Sequence, residues 1–421
     1  MTHHIISVPA PHNLVSSVVV EMLASERWLI HQTIMFRDFS PHRSFTNMIR
    51  SRLYVLLALL LALTGLAGAQ DPALTPLPFF ASYIPNVQFA PLYVAREEGY
   101  FADAGFDLQI QHGDENVGVI QVAQGEPRYG LISGEQVLLA RNGGVPVQFV
   151  YAWFQKYPIA VVVQAGIPFT EPADLKGLKV GVPGPFGANY TALVALLGLG
   201  GLTDADIQME SIGYVAPDVF CAGGVQASIV YSNNEPLEIQ RRIDAGECGD
   251  ITGITIYQVA EVAPMVSNGI VISEDTAANE PEETAAVVAA FDAGLRGAIM
   301  NPAQAYLYSL KYVENLPASE EFIAALEALS ADAEVAFDTP EARAESLAAL
   351  KEQFGNAEVG QFEVLIATIP FWEGETVGIT NDEQWTLTRD VLATLGSIPA
   401  DFDVSMAYRN DFVPVQPESA E

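Results

Sequence analysis

Tyr151-Ala152-Trp153-Phe154 sets three aromatic rings at the end of an apolar run. Side chains alternate along a strand, so Tyr151 and Trp153 share one face and Phe154 takes the other. Rings gathered there can stack on a flat aromatic molecule, gaining about 0.5–1.5 kcal/mol per pair beyond burial. Asn86 and Gln88 lie in a turn that opens a short helix, where side-chain amides and backbone N–H groups can meet a ligand. Tyr93, inside that helix, fits a core position as well as a cleft position. Ser133 and Glu135 stand where a strand gives way to a helix. Glu135 can accept from a ring N–H or a hydroxyl, or serve only as a first-turn carboxylate favoured by the helix dipole.

Pro183-Gly184-Pro185-Phe186-Gly187-Ala188-Asn189-Tyr190 is a glycine loop ahead of a helix. No lysine follows, so it is not a P-loop. It suits a neutral ligand approaching backbone amides beside Phe186, Asn189 and Tyr190, and it reads also as a plain tight turn. Asn233 and Glu235 close another strand and match the edge of a polyhydroxyl or pyrimidine group; Tyr257 follows a further strand.

What is missing narrows the chemistry. Five of the six histidines fall within the first 47 residues, leaving His112 alone beyond them. With no Gly-x-Ser-x-Gly and no Cys/His cluster, neither a serine triad nor a zinc site is expected, nor any cofactor. An enzyme is the runner-up class. Arg128 and Lys156 are the main cations near the candidate loops. An anionic ligand would want a buried cation, so a neutral one is expected. A formal net charge of −33 repels nucleic acid and anionic membrane surfaces. Cys221 and Cys248 are the two cysteines, and a disulfide or two buried thiols are both open.

The elements that must position these residues alternate strand and helix. Strands are expected at Phe79–Tyr83, Phe106–Ile110, Tyr129–Ile132, Val145–Trp153 and Ala160–Gln164, with helices between them. A second block runs from Asp174, with strands at Lys179–Val182, Ile207–Ser211, Ser228–Tyr231 and Ile251–Ile256, and a return strand within Pro264–Ile272. Beyond Glu280 the pattern is helical and rich in Ala and Glu. Such alternation predicts a mostly parallel α/β sheet in each block. The chain is expected to cross out near Val163–Asp174 and back near Val259–Gly269, a double crossing that permits closure about a hinge.

The expected division is an extension at 1–47, a signal peptide at 48–69 and a linker at 70–78. A first lobe follows at 79–170 and 266–415, a second lobe at 171–265, and a tail at 416–421. The signal rests on Arg50 and Arg52, the apolar run Leu53–Leu63 and the closing Ala67-Gly68-Ala69. That run is short for a membrane span, so export is expected, with an uncleaved anchor as the alternative.

Asn86-x-Gln88-Phe89-Ala90-Pro91-Leu92-Tyr93-Val94-Ala95, then Glu98-Gly99-Tyr100-Phe101, resembles the opening of substrate-binding proteins of the NMT1/THI5-like group. The resemblance continues through Asp174–Gly184, Tyr231–Pro236, Gln384-Trp385 and Tyr408–Phe412. It implies a type II periplasmic-binding-protein fold: two α/β lobes around a hinged cleft, with C-terminal helices packed on the first lobe. Within the group the chain looks most like the riboflavin-binding component of bacterial importers. A riboflavin ligand, a permease partner and a monomer outside the cytoplasm are then implied. A thiamine pyrimidine precursor is the nearest rival ligand.

Overall fold

The computed structural model describes residues 73–415. The expected extension, signal segment and tail lie outside the described residues. Two five-stranded sheets organise the chain, one in each lobe. The first has the order β2-β1-β3-β10-β4, with β1 Thr75–Ser82, β2 Phe106–Gly113, β3 Tyr129–Ser133, β4 Val147–Ala152 and β10 Asn268–Ser273. The second has the order β7-β6-β8-β5-β9, with β5 Ile159–Gln164, β6 Lys179–Val182, β7 Gln208–Ser211, β8 Ala227–Tyr231 and β9 Ile254–Gln258.

Both sheets are mixed. β1 runs parallel to β2 and β3, and β6 parallel to β7 and β8. β10 is antiparallel to β3 and β4, and β5 to β8 and β9. The antiparallel strands are those that follow a crossing, since a chain entering a sheet from the cleft side runs against its neighbours. β5 belongs to the second sheet, so the chain leaves the first lobe between Ala152 and Ile159, ahead of the expected Val163–Asp174 crossing. Both β4 and β5 are buried and mostly apolar, as expected of doubly covered strands, and such runs carry no mark of which sheet they join.

Helices cover the sheets. In the first lobe α1 Ala90–Glu97, α2 Tyr100–Asp103, α3 Glu115–Ala123 and α4 Gly134–Asn142 alternate with strands; α5 Gly187–Leu199, α6 Ala216–Cys221 and α7 Glu235–Asp244 do so in the second. α8 Glu274–Asn279, α9 Pro281–Met300, α10 Pro302–Ser309, α11 Glu320–Ala331, α12 Ala333–Ala336, α13 Pro340–Trp372 and α14 Asp382–Thr394 follow β10. The sequence predicts separate helices at Glu341–Phe354, Gly360–Ile369 and Asp382–Leu395, with Pro370-Phe371-Trp372 interrupting the last two. The expected break between the first two falls at Gly355, whose φ of 81° few other residues tolerate. Pro370 is carried inside the last turns. α9 packs directly on α1, and Phe291, Leu295, Phe362 and Trp372 join Phe79, Tyr93 and Trp153 in one core. The C-terminal helices therefore belong to the first lobe. α14 also reaches the second, where Leu395 just beyond it and Val391 pack against that lobe's core. Cys221 and Cys248 form a disulfide within the second lobe.

Candidate functional site

The carboxyl ends of the strands in both sheets converge on one cleft of about 800 Å³, counting its open mouth. In α/β proteins this is where small ligands sit. Ser82 and Tyr83 come from the end of β1, Trp153 and Phe154 from the end of β4, Pro183 and Phe186 from the loop after β6, and Tyr231 from β8. Gln88 and Phe89 enter from the 3-10 turn Val87–Phe89.

Six of the residues singled out by sequence line this cleft: Gln88, Trp153, Phe154, Phe186, Asn189 and Glu235. Trp153 is held edge-on to Phe154 at 4.7 Å between ring centroids and tilted against Phe89 at 5.5 Å. Its buried indole N–H has no acceptor among the described residues. Asn189 Nδ2 donates to the Ile229 carbonyl at 2.8 Å, which fixes its side chain at the start of α5.

The other eight stand away from the lining. Asn86 caps the 3-10 turn by accepting from the Gln88 N–H at 2.9 Å. Tyr93 stacks on Tyr312 in the first-lobe core, and Tyr151 donates to Asp292 Oδ1 at 2.7 Å in the same core. Ser133 and Glu135 are buried just behind the wall, where Tyr157 Oη donates to Glu135 Oε1 at 3.3 Å. Asn233 is buried between the lobes, donating to Gln88 Oε1 at 3.0 Å and to Thr368 Oγ1 at 2.8 Å. Tyr190 lies partly exposed on α5, and Tyr257 on β9 sets its edge against Phe169. Period-two counting grouped Tyr151 with Trp153. Both do set their rings edge-on to Phe291 in the first-lobe core, and only Trp153, one residue beyond the end of β4, also reaches the cleft.

Glu115, Tyr83, Tyr214 and Asn268 also line the cleft and were not among the candidates. Glu115 follows β2 by two residues, as Glu135 follows β3, but the strand expected at Phe106–Ile110 stops short of it. Its Oε1 accepts from the Ser133 N–H at 2.6 Å and its Oε2 from the Ala188 N–H at 3.2 Å. Tyr83 Oη donates to Glu235 Oε1 at 3.3 Å, and Tyr231 N–H to Oε2 at 3.0 Å. Tyr214 Oη donates to Asp114 Oδ1 at 2.8 Å. The bonds from Ala188, Tyr83 and Tyr214 run from one lobe to the other and hold the lobes together over the cleft, while those from Ser133 and Tyr231 stay within a lobe.

Two buried carboxyls, Glu115 and Glu135, and a half-buried one, Glu235, surround this junction. Burial, aided by the Glu115 charge, raises Glu135 to about 8. Burial lifts Glu235 to about 6 against the hydrogen bonds from Tyr231 and Tyr83. Glu115 is raised by burial too, and the Ser133 and Ala188 N–H groups oppose that shift. Both of its oxygens accept from backbone N–H, which fits the carboxylate form, so Glu135 is the one that holds a proton at neutral pH. His112 packs its ring edge against Phe89, and burial lowers its basicity, leaving it neutral. No Lys, Arg or His is among the lining residues.

The sequence pattern of the family described as NMT1/THI5 like matches residues 86–305. The chain belongs to that family. The riboflavin-binding protein RibY of Chloroflexus aurantiacus is 31% identical to it, over 82% of this chain and 88% of that protein. The formylaminopyrimidine-binding protein of Halalkalibacterium halodurans is 30% identical over 43% of this chain and 57% of its own length. In fold, the chain is similar to the alkanesulfonate-binding protein SsuA from Xanthomonas axonopodis pv. citri, at a TM-score of 0.51 and 15% identity, covering 81% of this chain and 100% of that one. The fold is that of periplasmic binding proteins.

Proposed function

We propose that the chain is the extracytoplasmic substrate-binding component of an ABC importer and that riboflavin is its ligand. The observation that carries this reading is a cleft walled by Phe89, Trp153, Phe154 and Phe186, edged by amides and carboxylates, and without a lining cation. A flat neutral ring stacks on such aromatics, and its N–H and hydroxyl donors suit Glu235 and Asn189. The Trp153 indole N–H is a donor for a ring carbonyl. The 31% identity to a riboflavin-binding protein across most of both chains supports the same ligand. Gln88, Trp153, Phe154, Phe186, Asn189 and Glu235 are the proposed contacts, with Asn86, Ser133, Glu135 and Asn233 supporting them from behind. Delivery to a permease by a monomeric, non-catalytic chain completes the reading.

Titration of the purified protein with riboflavin tests it. Saturable quenching of flavin fluorescence at micromolar protein is expected. Absence of quenching together with binding of a formylaminopyrimidine would move the ligand to the thiamine precursors. Conversion of either molecule would establish an enzyme instead.

A further inference from the structure

An anion is already built into this cleft. One carboxylate, Glu115, accepts from the N–H of Ser133, which precedes α4 in the first lobe, and from that of Ala188 in the first turn of α5 in the second. The start of a helix attracts anions because its first N–H groups lack intrahelical partners and carry the positive end of the dipole. Here two such starts face each other, and a side chain of the protein fills the place between them. Gly187 keeps it open, since a Cβ there would lie 3.1 Å from Glu115 Oε2. Glu235 puts a second, half-buried carboxyl on the same wall. An incoming phosphate would shed its water, meet these carboxyl groups and find no lining cation to offset the loss.

We propose that Glu115 is a specificity-determining residue that bars phosphorylated forms of the ligand, so that the cleft admits the free vitamin and rejects its 5′-phosphate ester. This assignment rests on the flavin reading above and adds the residue and the charge rule behind the choice. Bulk is the competing explanation, because a phosphate ester is also larger. An uncharged ester separates the two.

The experiment titrates the full chain at pH 7.5 with riboflavin, riboflavin 5′-phosphate and riboflavin 5′-acetate, following flavin and tryptophan fluorescence. The acetate is expected to bind within about tenfold of riboflavin, and the phosphate at least about 30-fold more weakly than the acetate. A smaller gap between the two esters overturns the assignment, whether both bind or both are excluded. Glu115→Gln is expected to cut the phosphate penalty by about tenfold or more, and a folded variant that keeps the whole penalty also overturns it. Should that variant not fold, the ester comparison on the unaltered protein decides alone. Failure of riboflavin itself to bind removes the flavin reading and this assignment together, whereas the ester result strikes only the assignment.

Discussion

Glu135 is a carboxyl whose surroundings outweigh its intrinsic chemistry. Folded it titrates near 8, against 4.5 as a free side chain, so the native state holds a proton that the unfolded chain has lost. Its contribution is therefore greatest below about pH 4.5 and declines as pH rises toward 8. His112 works in the opposite sense, being held neutral by burial, but only below its ordinary value of 6.5. Between pH 6.5 and 8.5, thermal scans are expected to show the melting temperature falling, and Glu135→Gln should flatten that slope. An unchanged slope in the variant would show that the proton resides elsewhere. At the cleft, Phe186→Ala is expected to weaken riboflavin about 2- to 10-fold through lost stacking, with little change in melting temperature because the ring is partly exposed. Fluorescence titration beside a thermal scan checks both halves. Residue type and position were enough to mark Trp153, Phe154, Phe186 and Glu235. They were not enough for Glu115, whose meaning depends on amides at Ser133 and Ala188 far along the chain. Nor could they tell that Tyr93 is covered by Tyr312.

At the scale of elements, periodicity found most strands and helices because each buries one clear face or lies wholly inside. It missed α2, α6, α8 and α12, which are too short to establish a period. Sheet membership was less legible, as β5 shows. Close packing between helices leaves a different mark. Gly294 in α9 lies so near α1 that an added Cβ would stand 2.3 Å from the Pro91 carbonyl oxygen and 2.6 Å from Ala95 Cβ. Backbone cannot swing aside as a side chain can. Gly294→Ala should therefore push α9 from α1 and cost about 1–3 kcal/mol, read by urea denaturation. A cost below about 0.5 kcal/mol would mean that the helices separate freely.

For the molecule as a whole, the Cys221–Cys248 bond closes a 27-residue stretch that lies inside the second lobe. In the chain-entropy picture such a loop is worth about 3–4 kcal/mol. The Cys221→Ser/Cys248→Ser protein is expected to unfold at lower denaturant by a corresponding margin. Because the bond does not span the lobes, riboflavin affinity should change little if the second lobe stays folded. The two-lobe plan was legible from alternating blocks and the double crossing; the cleft's inventory was not, since it is assembled from loops spread over nearly 200 residues.

β4 has a single strand neighbour in its sheet, β10, which the chain reaches only after passing through all five strands of the second lobe. Its other side is bridged by Gly378 and Tyr408, later still. During synthesis or refolding the second lobe can find its partners within a contiguous stretch, while β4 must wait for distant ones, and distant pairings form slowly. Trp153 and Phe154 hang from the end of β4, so the aromatic wall would be the last part of the molecule to settle. Pulsed hydrogen exchange during refolding should find the amides of β6 and β8 protected before those of β4. Simultaneous protection would mean that the lobes assemble as one unit.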